Sequence, residues 1–192
     1  MAGLTGSTPV EAFKRFCDHI NDLLHVTICD ARLTLVIGRD ESDRAYVSFR
    51  QGGSPIAAKL RSGGWYLYLG QTLGVVRQPD KRWRLRTLSY AYRIQRGPGP
   101  NDPSVFRFEY ESRDLREYLH PRHHLHIPTR LRIPGTKSKE IDLDKTHIPS
   151  GWVTIEELTR FLINEMGVES RTRQWDKMLR QSEDKFREWT GR

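Results

Sequence analysis

The sequence predicts an α+β fold: an N-terminal helix, an antiparallel β-sheet and C-terminal helices. Two observations carry this. Apolar residues recur at helical spacing only near the two ends of the chain, and segments of strict alternation cluster between them. Strands that cluster in sequence, rather than alternating with helices, argue against a parallel α/β sheet. The expected organisation is a single α+β domain over residues 1–167, followed by a C-terminal amphipathic helix, 168–192, packed on that domain or on a partner.

The first helix has a marked start. Thr8 stands at the N-cap, Pro9 at the first helical position, and Glu11 where a capping-box acid reaches back. Phe13, Phe16, Cys17, Ile20, Leu23 and Leu24 follow at helical spacing, so the helix is expected to end near Leu24. Arg32–Gly38 and Arg44–Arg50, separated by the polar turn "RDESD", read as a hairpin. "QGGSP" breaks the chain, and the next strand is expected around Trp65 to Leu69. "WRLRTLSYAYRIQR", Trp83 to Arg96, alternates so that Leu88, Tyr90, Tyr92 and Ile94 share a face. "GPGPNDP" can only be a loop. "VFRFEYE", Val105 to Glu111, puts Phe106, Phe108 and Tyr110 on one face and Arg107 and Glu109 on the other, and it is expected to pair antiparallel with the strand before it.

After a histidine-rich stretch, "PTRLRIPGTKSKEIDLDKTHIPSG" holds a strand or two and a long loop. Thr154 with Glu157 three residues on makes a capping box. Ile155, Leu158, Phe161, Leu162 and Met166 form the stripe of the helix it opens, and Gly167 is placed to end it. Trp175, Met178, Leu179, Ser182, Phe186 and Trp189 then line one side of a long helix whose other side is charged.

Composition narrows the classes. Lys and Arg number 32 against 24 Asp and Glu, a net charge of +8, which suits contact with a polyanion through phosphate neutralisation and counterion release. It equally suits an acidic protein partner, or solubility alone. The mean hydropathy of −0.67 and the lack of any apolar run near the roughly 20 residues of a membrane span exclude a helical membrane protein. The N-terminus lacks the pattern of a signal peptide, and Cys17 and Cys29 show neither metal spacing nor a disulfide framework. A cytoplasmic protein without membrane contact is expected.

The chemistry concentrates in "YLHPRHHLHI", Tyr118 to Ile127, which holds four of the seven histidines. If Arg122 to Ile127 is a strand, His124 and His126 project from one face with Arg122, about 7 Å apart at the backbone. His123, Leu125 and Ile127 project from the other. On that pattern Leu125 and Ile127 look inward, and His124 and His126 look towards solvent or a cleft. Imidazole titrates near neutral pH, so one ring can accept a proton while another donates one. Metal-independent cleavage of RNA needs such a pair plus a cation, which Arg107 or Arg122 supplies. Glu109 is placed to orient or tune a histidine if its strand lies beside this one, and His120 supports. Such chemistry needs no cofactor and no metal. The alternative is a divalent metal on His120, His124 and His126; against it, no Asp, Glu or Cys lies inside the cluster. A purely structural role is the third possibility. His147 is a weaker candidate near a helix start, and His19 and His25 border the first helix. Arg84 and Arg86, with Arg82, form a basic stripe that either protects a strand edge or tracks phosphates.

"SYAYRIQ", "FRFEY" and "HPRHHLHI" together resemble the TumE-like toxins of bacterial toxin–antitoxin systems, over roughly Ser89 to Ile127. Glu109 stands where that family leads one to expect Asp, and the chain is longer than a minimal toxin. The resemblance implies a growth-inhibiting toxin, acting on RNA and neutralised by an antitoxin protein. The expectation is therefore a ribonuclease-like toxin with His124, His126, His120 and Glu109 in the chemistry, and Arg107, Arg122, Arg84 and Arg86 on the substrate. Two alternatives stand beside it. One is a non-enzymatic basic adaptor that docks nucleic acid or protein through its C-terminal helix. The other is a zinc-dependent hydrolase.

Overall fold

A computed structural model of the chain describes residues 5–38, 43–112, 121–132 and 140–190. His120 and most of the turn at 39–43 lie outside these residues. The architecture is α+β. The elements run α1 (Pro9–Thr27), β1 (Leu33–Ile37), β2 (Arg44–Gln51), β3 (Ser54–Pro55), β4 (Ala58–Lys59), β5 (Tyr66–Arg77), β6 (Trp83–Gln95), β7 (Ser104–Glu111), β8 (His123–His126), β9 (Arg130–Arg132), β10 (Glu140–Asp142), β11 (Ile148–Pro149), α2 (Ile155–Asn164) and α3 (Trp175–Thr190). The main sheet has the order β1-β2-β5-β6-β7-β8-β11, with β3 beside β2 and β4 beside β5, while β9 and β10 pair separately. Every pairing is antiparallel.

One face of the sheet carries the core. Phe13, Phe16, Ile20 and Leu24 of α1 pack with Val47, Phe49, Leu67, Leu69, Tyr92 and Ile94. From α2, Ile155, Leu158 and Leu162 join them, and the Phe161 ring meets Phe106 and Phe108 edge-on, with centroids 5.4 and 6.2 Å apart. Edge-to-face contact suits the charge distribution of aromatic rings. Because Phe106 and Phe108 face α2, strand alternation sends Arg107 and Glu109 to the opposite face. That single fact positions the site.

The helix termini follow their residues. Thr154 Oγ1 accepts the Glu157 N–H at 3.1 Å while the Glu157 carboxylate accepts the Thr154 N–H at 2.9 Å, so the capping box is complete. At α1, Thr8 accepts the Glu11 N–H at 3.1 Å, but Glu11 reaches back to Ser7 rather than to the N-cap. The helix also outlasts its apolar stripe by one turn, to Thr27. Thr27 Oγ1 donates to the Leu23 carbonyl at 2.6 Å, and the Ile28 and Cys29 N–H groups both close on Leu24. Past α2, Gly167 takes a left-handed φ of 67°, which lets the Val168 N–H cap the Leu162 carbonyl.

Two strand expectations need correction. The strand expected around Trp65 to Leu69 runs on to Arg77, because Gly70, Gln71 and Gly74 interrupt the apolar pattern without interrupting the ladder. Buried Gln71 is satisfied by donating to Thr87 Oγ1 at 2.9 Å. Leu88 does not share the face of Tyr90, Tyr92 and Ile94. It sits at a β-bulge opposite Thr72 and Leu73, and the extra residue shifts the parity so that Leu85 is the buried one.

α3 packs against the helical layer. Arg160 of α2 bridges Asp176 and Glu183 at 3.4 and 2.7 Å, and buried Leu179 and Ser182 face inward. No helix among the described residues is long and apolar enough to cross a membrane.

Candidate functional site

The site lies on the sheet face opposite the helices, where β7 meets β8. The register sets Glu109 opposite His124 and Arg107 opposite His126. On the far side of β8, the two residues of β11 pair with His124 and Leu125, which brings His147, the residue before β11, alongside. The three imidazoles form a triangle with ring centroids 5.0 Å apart for His124–His126, 4.9 Å for His124–His147 and 4.8 Å for His126–His147. One ring nitrogen from each lies within 4.8 Å of the others.

Backbone carbonyls hold two of these rings. His124 Nδ1 lies 2.9 Å from the Pro121 carbonyl, and His126 Nδ1 lies 2.8 Å from the Asp144 carbonyl. A carbonyl only accepts, so each Nδ1 carries the proton, and in the neutral ring the lone pair belongs to Nε2. Both Nε2 atoms point at one carboxylate oxygen: Glu109 Oε2 is 3.4 Å from His124 and 3.7 Å from His126. The other oxygen, Oε1, is 3.4 Å from Arg107 Nε. His126 Nε2 is buried and makes no hydrogen bond among the described residues. Burial, first of all, pushes the His126 pKa down, and nearby Arg107 and His124 push the same way. The Asp144 carbonyl and Glu109 pull against them.

The faces of β8 are as expected, Leu125 on the side of Phe108 and the histidines on the side of Glu109 and Arg107, but their burial is not. The His124 and His126 side chains are 5% and 4% exposed, whereas Leu125 and Ile127 are only half-buried. The segment leading into β11 covers the histidine face. On the other face, His123 stacks on Tyr110 with centroids 4.4 Å apart and planes 9° apart, beside Trp152. His123 is thus a packing residue in an aromatic cluster.

Of the expected site residues, the fold brings together His124, His126, Glu109 and Arg107. Arg122 is exposed and precedes β8. Arg84 and Arg86 lie on the end of β6 that pairs with β5, beyond the Ser89–Glu111 limit of the β7 pairing. Sequence spacing underrated His147, because the strand pairing that recruits it joins segments over 20 residues apart. It also missed Arg93, which stands directly opposite Arg107. The signal was present: Arg93 has the parity opposite to Tyr90, Tyr92 and Ile94, just as Arg107 opposes Phe106 and Phe108.

The donor set suits a borderline divalent cation. Neutral imidazoles with Nδ1–H anchored on backbone carbonyls and Nε2 lone pairs convergent are the usual arrangement of histidine metal ligands. Nitrogens about 2.1 Å from a tetrahedral ion stand about 3.4 Å apart, so modest side-chain rotations would close this triangle on one.

The chain matches no family model, no curated protein and no solved structure.

Proposed function

We propose that this chain is a metal-dependent hydrolase of phosphate esters, with a zinc-like divalent ion held by His124, His126 and His147. The observation that carries this reading is the convergence of three imidazoles, two of them buried with their tautomer set by backbone carbonyls. A bound divalent ion would acidify a water and polarise a phosphoryl oxygen. With such an ion bound, Glu109 is placed to take the proton from the attacking water while the water oxygen would bond to phosphorus, the ester P–O bond would break, and Glu109 would return the proton to the leaving oxygen. Arg107 offsets the charge that builds on the phosphoryl oxygens. The net charge of +8 and the resemblance to TumE-like toxins favour RNA as the substrate and growth inhibition as the outcome, with an antitoxin as partner.

A second reading keeps the same residues without a metal. Its support is the Glu109 carboxylate 3.4 Å from His124 Nε2, an acid–imidazole pair suited to proton transfer, next to Arg107. Burial of both imidazoles counts against it, because an RNA hydroxyl must reach the ring that takes its proton.

One experiment separates the two. Purified protein is assayed for bound metal and for cleavage of a mixed RNA pool, before and after chelation and after zinc or manganese is restored. Stoichiometric metal and chelator-sensitive, metal-restored cleavage are expected. Cleavage that persists in metal-free protein would transfer the case to the second reading. Absence of cleavage in every state would sink both.

A further inference from the structure

The face that carries the histidines also carries two arginines side by side. Strand register sets Tyr68 opposite Arg93, Arg93 opposite Arg107 and Arg107 opposite His126, a row across β5, β6, β7 and β8. Like charges directly opposed across a ladder destabilise it. Directly paired residues have backbones about 5 Å apart, so the two arginine side chains leave the sheet side by side on this face. Neither is neutralised in full. Arg93 donates to the Pro100 carbonyl at 3.2 Å and lies over the Tyr68 ring, 5.0 Å from its centroid, but pairs with no carboxylate among the described residues. Among the described residues Arg107 has only the ion pair to Glu109 Oε1, and that carboxylate is shared with His124 and His126. The Nε atoms of both arginines are buried and make no hydrogen bond among the described residues. Ala91, in register with Glu109, puts only a methyl group beside the pair on this face.

From this arrangement we infer that Arg93 and Arg107 form an oxyanion subsite that holds a phosphate group of the substrate next to the histidine centre. This deepens the phosphate-ester reading and rests on it for the word substrate; the anion site itself rests on the arginine row. Two planar guanidinium groups present forked N–H donors matched to a tetrahedral oxyanion. An anion between them also removes the like-charge repulsion of the row. Tyr68, under Arg93, sets the direction of that guanidinium by stacking. Arg93 is then a binding residue on the strand face opposite Tyr90, Tyr92 and Ile94.

The probe is inorganic phosphate, titrated into full-length, chelator-treated protein at low ionic strength and followed by phosphorus NMR line width. The expected result is saturable binding that Arg93→Gln and Arg107→Gln each weaken by about tenfold or more, the loss of a charge-assisted hydrogen-bonding group. Arg93→Lys, which keeps the charge but not the fork, guards against a folding artefact and is expected to recover part of the loss. Acetate at equal concentration is expected to compete poorly. No phosphate binding by wild type, or equal binding by both glutamine variants, would overturn the inference. Zinc stoichiometry is measured on the same preparations before chelation and after zinc is restored. A wild type that binds phosphate but no zinc would remove the metal reading and leave the subsite standing.

Discussion

Glu109 and His124 stand directly opposite each other in the β7–β8 ladder, with Glu109 Oε2 3.4 Å from His124 Nε2. The same oxygen is 3.7 Å from His126 Nε2. One carboxylate thus addresses the two imidazoles whose other nitrogens are committed to the backbone. Glu109→Gln keeps size and hydrogen-bonding reach but removes the base. It is expected to lower the cleavage rate by about 10² to 10⁴, the usual contribution of a general base, while three imidazoles still hold metal. Single-turnover cleavage measured with metal analysis checks both halves. Full activity in the variant would exclude Glu109 as the proton acceptor.

His147 is the imidazole that the fold brings to His124 and His126 from a distant segment. His147→Ala is expected to weaken zinc binding by more than about a hundredfold, since even second-shell changes cost 10- to 100-fold. Cobalt titration by visible absorption reads this directly. An unchanged affinity would mean that the triangle of rings does not act as one centre.

His123 belongs to the same tetrad of histidines in sequence but to the opposite face in space. His123→Phe preserves the stack on Tyr110 and the contact with Trp152. The expected cost in stability is below about 1.5 kcal/mol, as for other shape-conserving replacements, with zinc affinity unchanged. Thermal melts and the cobalt titration test it. A loss of metal comparable to that in His147→Ala would contradict the assignment of faces.

Glu156 is buried between α2 and α3, where it accepts a hydrogen bond from Ser182, whose hydroxyl also meets His19 Nε2 at 2.8 Å. Burial raises its pKa, with repulsion from Glu183 acting in the same direction and the Ser182 hydrogen bond opposing. The folded state therefore holds the proton more tightly than the unfolded chain. Stability attributable to this group is full below the unfolded value of about 4.3 and declines as pH rises through the folded value. Glu156→Gln removes that decline. Its melting temperature relative to wild type is expected to be higher at about pH 8 than at about pH 4. A difference between the two proteins that does not vary with pH would refute the assignment.

Much of the fold was legible because its signals are local. Thr154 and Glu157 lie within one helical turn, so their reciprocal bonds depend on little else. Phe106, Phe108 and Tyr110 alternate with Arg107 and Glu109 because strand geometry requires it. What was not legible came from contacts made at a distance. β5 continues through Gly70, Gln71 and Gly74 because β2 and β6 hold it on both sides. The bulge at Leu88 exchanges that residue for Leu85 in the core. At the site, Glu109 and Arg107 were correctly given one face, while the burial of His124 and His126 and the recruitment of His147 and Arg93 were not visible.

By itself the sequence determined the class of fold, the capped starts of α1 and α2, and, away from the bulge at Leu88, the sets of residues that share a face on β6 and β7. Periodicity encodes those sets, since 3.6 and 2 residues per repeat are properties of the backbone. Periodicity does not say which face another segment will cover. The tertiary structure decided that, by laying β11 along β8 and β7 along β6. Those pairings set His147 against His124 and His126, whose rings are buried on that face, and placed Arg93 beside Arg107. Burial and charge proximity are properties of segments meeting in space, and the chemistry of this protein depends on both.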